Sequence, residues 1–148
     1  MTLTIANRQR GRKINVRRLR EITAALLADL AGPEAELEIN LVSPAQMARV
    51  NQTFLQHAGP TDVITFDYRE TVTDDDLHGE LFICPAVAVA QAREFGTDWR
   101  SELVRYVIHG LLHLRGHDDR EPAARRRMKQ AEGRRLRDMS RRFALSRL

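Results

Sequence analysis

Residues 98–119 read Asp98-Trp-Arg-Ser-Glu-Leu103-Val104-Arg-Tyr-Val107-Ile108-His109-Gly110-Leu111-Leu112-His113-Leu-Arg115-Gly116-His117-Asp118-Asp119. Leu103, Val104, Val107, Ile108, Leu111 and Leu112 recur at three- and four-residue spacing, the stripe of a helix with one buried face. Thr97 or Asp98 supplies the N-cap, and Gly116 ends the helix. His109 and His113 lie one turn apart on it, so their imidazoles project from one side with overlapping reach. Two metal ligands need that geometry. The break at Gly116 lets the chain turn back, so a third ligand can approach from the far side. Asp119 is the carboxylate placed to do so, leaving one coordination position for water. His117 is the competing third ligand and would share the histidine face if the helix ran on, but the glycine argues against that. Zinc proteases of the H-E-x-x-H type carry their general base directly after the first histidine. Here that position is Gly110.

Working outward, Leu3 and Ile5 alternate with polar neighbours and predict a first strand. Asn15 caps a helix with apolar positions Val16, Leu19, Ile22, Leu26, Leu27 and Leu30, stopped by Gly32-Pro33. Residues 35–42 (AELEINLV) alternate as a half-buried strand. Ser43-Pro44 opens a helix expected to run to about Phe54. Gly59-Pro60 turns the chain into a short strand at residues 63–66, an acidic loop covers residues 73–76, and residues 80–84 form another strand. Pro85 opens a helix ended by Gly96, and a last basic helix runs over about residues 122–143. The expected fold is α+β: a single domain over residues 1–148, with a small mixed sheet of about four strands packed with about five helices.

The chain has 148 residues, 43% hydrophobic and 30% charged, enough apolar content for one packed core. No run approaches the length of a membrane span, and the first residues hold no apolar signal segment. One cysteine, Cys84, excludes an internal disulfide and a cysteine-based zinc site. A cytoplasmic protein with no membrane association is expected, and the sequence implies no obligate protein partner. Charge is segregated. Residues 1–20 sum to +7 and residues 120–148 to +8, while residues 21–119 sum to −11. Of the 24 basic residues, 22 are arginine, whose planar fork suits phosphate.

The segment at residues 109–119 resembles the signature of the YbeY family of bacterial metallo-endoribonucleases, H-G-x-L-H-L-x-G-Y-D-H. Residues 51–66, ending Gly59-Pro60-Thr61-Asp62-Val63-Ile64-Thr65-Phe66, resemble the family's N…P-T-D-V-L-S-F stretch. His78-Gly79-Glu80-Leu81-Phe82-Ile83 resembles its L-G-D-I-V-I strand. The resemblance covers about residues 37–119. It implies a small mixed sheet packed with helices and one Zn²⁺ per chain. It also implies cleavage of single-stranded RNA in maturing the 3′ end of 16S ribosomal RNA and in ribosome quality control. Ribosomal RNA and the small ribosomal subunit are then the expected partners. The family's first two histidine ligands fall on His109 and His113. Its third histidine falls on Asp119, its tyrosine on His117, and an arginine that it carries after Asn-x-x-Tyr on Leu55. Two neutral imidazoles and a carboxylate leave a bound Zn²⁺ with net +1 rather than +2. The harder oxygen ligand also admits Mn²⁺.

Metal-assisted phosphodiester hydrolysis needs a proton acceptor and a phosphate contact. Asp62 and His57 are the candidate bases, each with an ordinary alternative as a turn or loop residue. Arg115 is the candidate phosphate contact, or else a cation favouring the helix C-terminus. Arg125, Arg126 and Arg127 on the last helix are candidate RNA contacts, or a solvated face. Aromatic residues are 5%, which suggests no exposed stacking surface, and Trp99 reads as packing. Two alternatives stay open: a non-catalytic ribosome-assembly or RNA-binding factor, and a zincin-like metalloprotease disfavoured by Gly110.

Overall fold

The computed structural model describes residues 1–55, 62–71 and 76–148, and nothing is said of the side chain of Leu55. His57, the turn at Gly59-Pro60 and residues 73–75 of the acidic loop lie outside the described residues. The alternation read in the sequence becomes four strands, β1 (Thr2–Asn7), β2 (Glu36–Leu41), β3 (Val63–Asp67) and β4 (His78–Ile83). They pair in the order β1-β2-β4-β3. β1, β2 and β4 are parallel, with Ile5 opposite Ile39 and Ile39 opposite Leu81, and β3 runs antiparallel to β4 with Thr65 opposite Leu81. Among the described residues five α-helices accompany them: α1 (Val16–Leu30), α2 (Pro44–Val50), α3 (Pro85–Phe95), α4 (Trp99–Leu114) and α5 (Pro122–Arg142). The sheet is mixed and the class is α+β, as expected.

The two sheet faces are served by different helices. Leu37, Ile39, Leu81 and Ile83 point into a core shared with Leu19 and Ile22 of α1, Ala88 of α3, Leu111 of α4 and Met128 of α5. On the opposite face, Met47 of α2 packs with Ile64 and Cys84 beneath Phe66 and Phe82. Among the described residues no helix is long and apolar enough to cross a membrane.

Helix α4 is the central element, touching α1, α3, α5, β3 and β4. All six apolar positions of its predicted stripe are at most 2% exposed. Burying a Leu, Ile or Val side chain contributes about 1.5–3 kcal/mol, so this one face anchors the domain. Two glycines let α4 lie close on β4. A Cβ on Gly110 would stand 2.6 Å from Leu81 Cδ2, and one on Gly79 would stand 2.7 Å from both Leu114 Cδ1 and the Phe66 carbonyl oxygen. Asp98, rather than Thr97, caps α4 by accepting from the Arg100 amide at 3.1 Å.

The second helix departs from expectation. It ends at Val50 instead of near Phe54, and Asn51–Leu55 form a wider π-helical turn. Asn51 is 6% exposed, so the wider turn carries a polar side chain inward where a regular helix continues on its amphipathic face. β4 starts two residues before the expected Glu80, because His78 and Gly79 pair with Glu36 and Leu37 of β2.

Candidate metal centre

His109 and His113 stand in the last two turns of α4. Their Nε2 atoms are 3.1 Å apart. Beyond Leu114 the helix closes in a Schellman turn: the Gly116 amide donates to the His113 carbonyl and the His117 amide to the Leu112 carbonyl, each at 3.0 Å. Gly116 has φ +93°, a conformation that side chains with a Cβ rarely adopt. The turn brings Asp119 back over the helix, with Oδ2 3.7 Å from His113 Nε2 and 4.0 Å from His109 Nε2.

Among the described residues, these three side chains form the group whose ligand atoms lie within 4.8 Å of one another. Ligands at ordinary zinc–nitrogen and zinc–oxygen lengths in a tetrahedron are separated by about 3.3 Å, so this donor set fits one divalent ion after small side-chain adjustments. His117 is not part of the group. It is exposed and borders a hollow with Arg134 and Arg135, because the glycine turn redirects the chain before it.

A residue that sequence reasoning missed completes the arrangement. Glu132 of α5 is 7% exposed, and its Oε2 is 2.9 Å from His109 Nδ1. A carboxylate there makes Nδ1 the protonated nitrogen and leaves the Nε2 lone pair for a ligand role. The signal was present in the sequence: Glu132 sits midway between Met128 and Leu136, an acid on the apolar stripe of a predominantly basic helix. Electrostatics separates the two histidines. Burial lowers the His109 pKa, but the hydrogen bond and charge of Glu132, with Asp62 and Asp119, outweigh it and hold His109 above its ordinary value. His113 is held below its ordinary value by burial and by the charge of His109.

The imidazoles open onto a groove of about 320 Å³ bordered by Val63, Thr65, Asp67 and Leu114. Arg69 clamps its rim, binding Asp67 at 2.7 Å and donating to the Leu114 carbonyl at the end of α4. Asp62 Oδ1 accepts from the Val63 amide at 2.7 Å, while its charge reaches His109. Arg115 is exposed at the helix end, and Arg125, Arg126 and Arg127 are exposed on the first turns of α5. Arg125 Nε donates to the Asp119 carbonyl at 3.0 Å and so braces the ligand loop.

The low aromatic content proves a poor guide to the surface. Phe54, Phe66, Tyr68 and Phe82 gather on the sheet face opposite the histidines, with ring centroids 5.4–6.4 Å apart. Phe54 is 63% and Tyr68 48% exposed. Trp99 is half-buried against the core, with the guanidinium groups of Arg12 and Arg100 over its ring at 5.2 and 4.7 Å.

Comparison with known proteins places the chain in a family. A family model described as Endoribonuclease YbeY matches residues 4–140. Endoribonuclease YbeY of Chlorobium luteolum is 45% identical over 84 residues, a stretch spanning 57% of this chain and 59% of that protein. The Syntrophotalea carbinolica relative of the same name is 35% identical over 136 residues, 86% of this chain and 90% of the relative. The Geobacter sulfurreducens relative is 34% identical over 140 residues, 92% and 93% of the two chains. The solution structure of TM1509 from Thermotoga maritima superposes with a TM-score of 0.67 at 26% identity, covering 94% of this chain and 89% of that one. Matched along nearly all of its length, the chain belongs to the endoribonuclease YbeY family.

Proposed function

We propose that this protein is a metal-dependent endoribonuclease that cuts single-stranded RNA, with one divalent ion held by His109, His113 and Asp119. Its substrate is ribosomal RNA of the small subunit, cut in the cytoplasm during 3′-end maturation and quality control. Residues 1–148 act as one such domain, with the basic helix α5 as part of its RNA face. The observation that carries the reading is the convergence of two imidazole nitrogens and one carboxylate oxygen at the mouth of an open groove, with Glu132 fixing the His109 tautomer. The names of the relatives supply the reaction class.

His109, His113 and Asp119 would hold a divalent ion, which when bound would supply Lewis acidity toward a phosphodiester. Glu132 keeps the His109 Nε2 lone pair directed at the ion, and Arg125 holds the backbone that carries Asp119. The carboxylate ligand leaves less positive charge at the centre than three histidines, so arginines must supply more of the attraction for phosphate. Arg115 at the end of α4 is the candidate phosphate contact, and Asp62, whose charge reaches His109, is the candidate proton acceptor. Zinc suits the two imidazoles, and manganese is admissible through Asp119.

A second reading, a ribosome-assembly or RNA-binding factor without turnover, draws on Leu55 and Asp119 standing where the family has arginine and histidine. A protease reading loses ground, since Gly110 faces Leu81 where a general base has no room. The deciding experiment is elemental analysis of wild type, Asp119→Ala and His117→Ala purified without chelators, followed by incubation with single-stranded and duplex RNA. About one equivalent of zinc or manganese in wild type and His117→Ala, lost with Asp119→Ala, is expected, with single-strand cleavage following the metal. RNA binding with no metal and no cleavage in any of the three favours the assembly factor.

A further inference from the structure

The chain leaves the parallel strands in opposite directions. From the end of β1 it passes to α1, which packs on the Leu37–Leu81 face of the sheet, and from the end of β2 it passes to α2 on the other face. From β4 it returns to the first face through α3. Such a reversal opens a crevice beyond the carboxyl ends of the strands, the usual ligand position in open sheets of this kind. A cavity of about 300 Å³ lies there, bordered by Gln9 and Arg12 after β1, Ser43 and Pro44 after β2, and Val89 and Arg93 of α3. Among the described residues no carboxylate borders it. Among the described residues neither Arg12 nor Arg93 has an acidic partner, and Arg12 Nε is buried without a hydrogen bond.

The loop is built in advance. Gln9 is 9% exposed, its Oε1 accepts from the Arg12 amide at 2.9 Å and its Nε2 donates to the Arg12 carbonyl at 2.7 Å. Arg12 is therefore presented with little ordering left to do on binding. The surrounding residues 8–13 (RQRGRK) hold four basic side chains and no acid.

We infer that this crevice is a phosphate-binding subsite for single-stranded RNA, with Arg12 and Arg93 gripping the backbone away from the metal centre. The inference rests on the RNA reading of the proposed function. Arg12 lies over Trp99 in the first turn of α4, ten and fourteen residues before the two histidines. At 1.5 Å per residue that places the subsite ~15–21 Å from them along the helix. A stacked strand at ~3.4 Å per nucleotide covers the distance in roughly four to six nucleotides.

The test uses full-length Asp119→Ala protein in chelator, so that binding is read without cleavage. The probe is a fluorescein-labelled single-stranded RNA of about twelve nucleotides, long enough to span both sites. Adding Arg12→Gln and Arg93→Gln should weaken binding about tenfold and make the slope of log affinity against log salt shallower by about 1.4, the value for two single-strand phosphate contacts. The charge-matched pair Arg17→Gln and Arg18→Gln on α1 should change affinity less than twofold. Arg93→Gln alone, on the exposed side of α3, carries the test with a slope change of about 0.7 if the double variant does not fold. Unchanged affinity and slope, or an equal loss in the α1 control, overturns the inference. Titrating inorganic phosphate and a nucleoside monophosphate against the fluorescence of Trp99 separates the sources. A response abolished by the double variant, with RNA affinity unaltered, overturns RNA as the ligand in favour of a free phosphate compound. Failure of the nuclease reading shows elsewhere, as wild type loaded with metal that does not cut.

Discussion

Glu132 offers the sharpest test of the metal centre, because it touches a ligand without being one. Its Oε2 lies 2.9 Å from His109 Nδ1, and its side chain is almost wholly buried. A hydrogen bond to a charged group is worth about 1.5–3 kcal/mol. Loss of an outer carboxylate typically costs about 10–100-fold in metal affinity, or about 1.4–2.8 kcal/mol, so the two ranges agree. Glu132→Gln keeps an acceptor for Nδ1–H and should weaken zinc about tenfold. Glu132→Leu removes it and should weaken zinc about 100-fold. Competition against a chromophoric chelator measures both. Metal-free stability should also fall, by about 1–3 kcal/mol, because leucine continues the stripe of Met128 and Leu136 but leaves the His109 Nδ1–H without its acceptor. Arg105, 4.0 Å from the other Glu132 oxygen and partly exposed, keeps its water. Zinc bound by Glu132→Leu within twofold of wild type, while His113→Ala abolishes binding, refutes the claim that α5 orients the ligand.

Metal affinity should fall as pH falls, since the raised pKa of His109 lets a proton compete for the site at higher pH than at an ordinary histidine, and Glu132→Gln should move that profile to lower pH. Calorimetry in buffers of different ionisation enthalpy reads the protons released. Gly79→Ala should lower the thermal midpoint more than Gly110→Ala. Overpacking costs about 1–3 kcal/mol at either site, but alanine returns about 1 kcal/mol of helix propensity at position 110, and the Phe66 carbonyl at position 79 cannot swing aside. Neither tyrosine should ionise near pH 10 in an absorbance titration. The hydrogen bond to Glu80 pushes Tyr68 up to about 12, and burial raises Tyr106 further. A raised folded pKa makes that bond's stabilisation complete below pH 10 and lost between about 10 and 12, and Tyr68→Phe should remove the earlier step.

The strands and helices were legible where one face is buried and the other wet. The stripe on α4 reports burial directly, the period-two pattern of residues 36–41 reports it for Leu37, Ile39 and Leu41 but not for the buried Asn40, and Gly96 and Gly116 mark ends that need a left-handed residue. The π-helical turn at Asn51–Leu55 was not legible, because no glycine or proline announces it and the residues continue a helical pattern. His109, His113 and Asp119 could be read from spacing because all three belong to one helix and its turn. Glu132 could not be assigned from local sequence. Its role exists only once α5 folds back along α4: the stripe of Met128 and Leu136 marks Glu132 as facing inward, but no local rule names His109 as its partner. The aromatic row of Phe54, Phe66 and Phe82 joins a turn and two strands, and composition averages such gatherings away.

The strand order has a consequence for biosynthesis. β4 lies between β2 and β3, and its buried face is covered by α4, whose last residue is Leu114. A growing chain therefore completes β2 at Leu41 long before the elements that cover it emerge. At about 5–20 residues per second, translation from Leu41 to Leu114 takes roughly 4–15 s. Until β4 is complete at Ile83, Leu37, Ile39 and Leu41 have only β1, α1 and α2 of the finished fold beside them, so β2 passes that part of the interval with an unpaired edge that β4 covers in the finished protein.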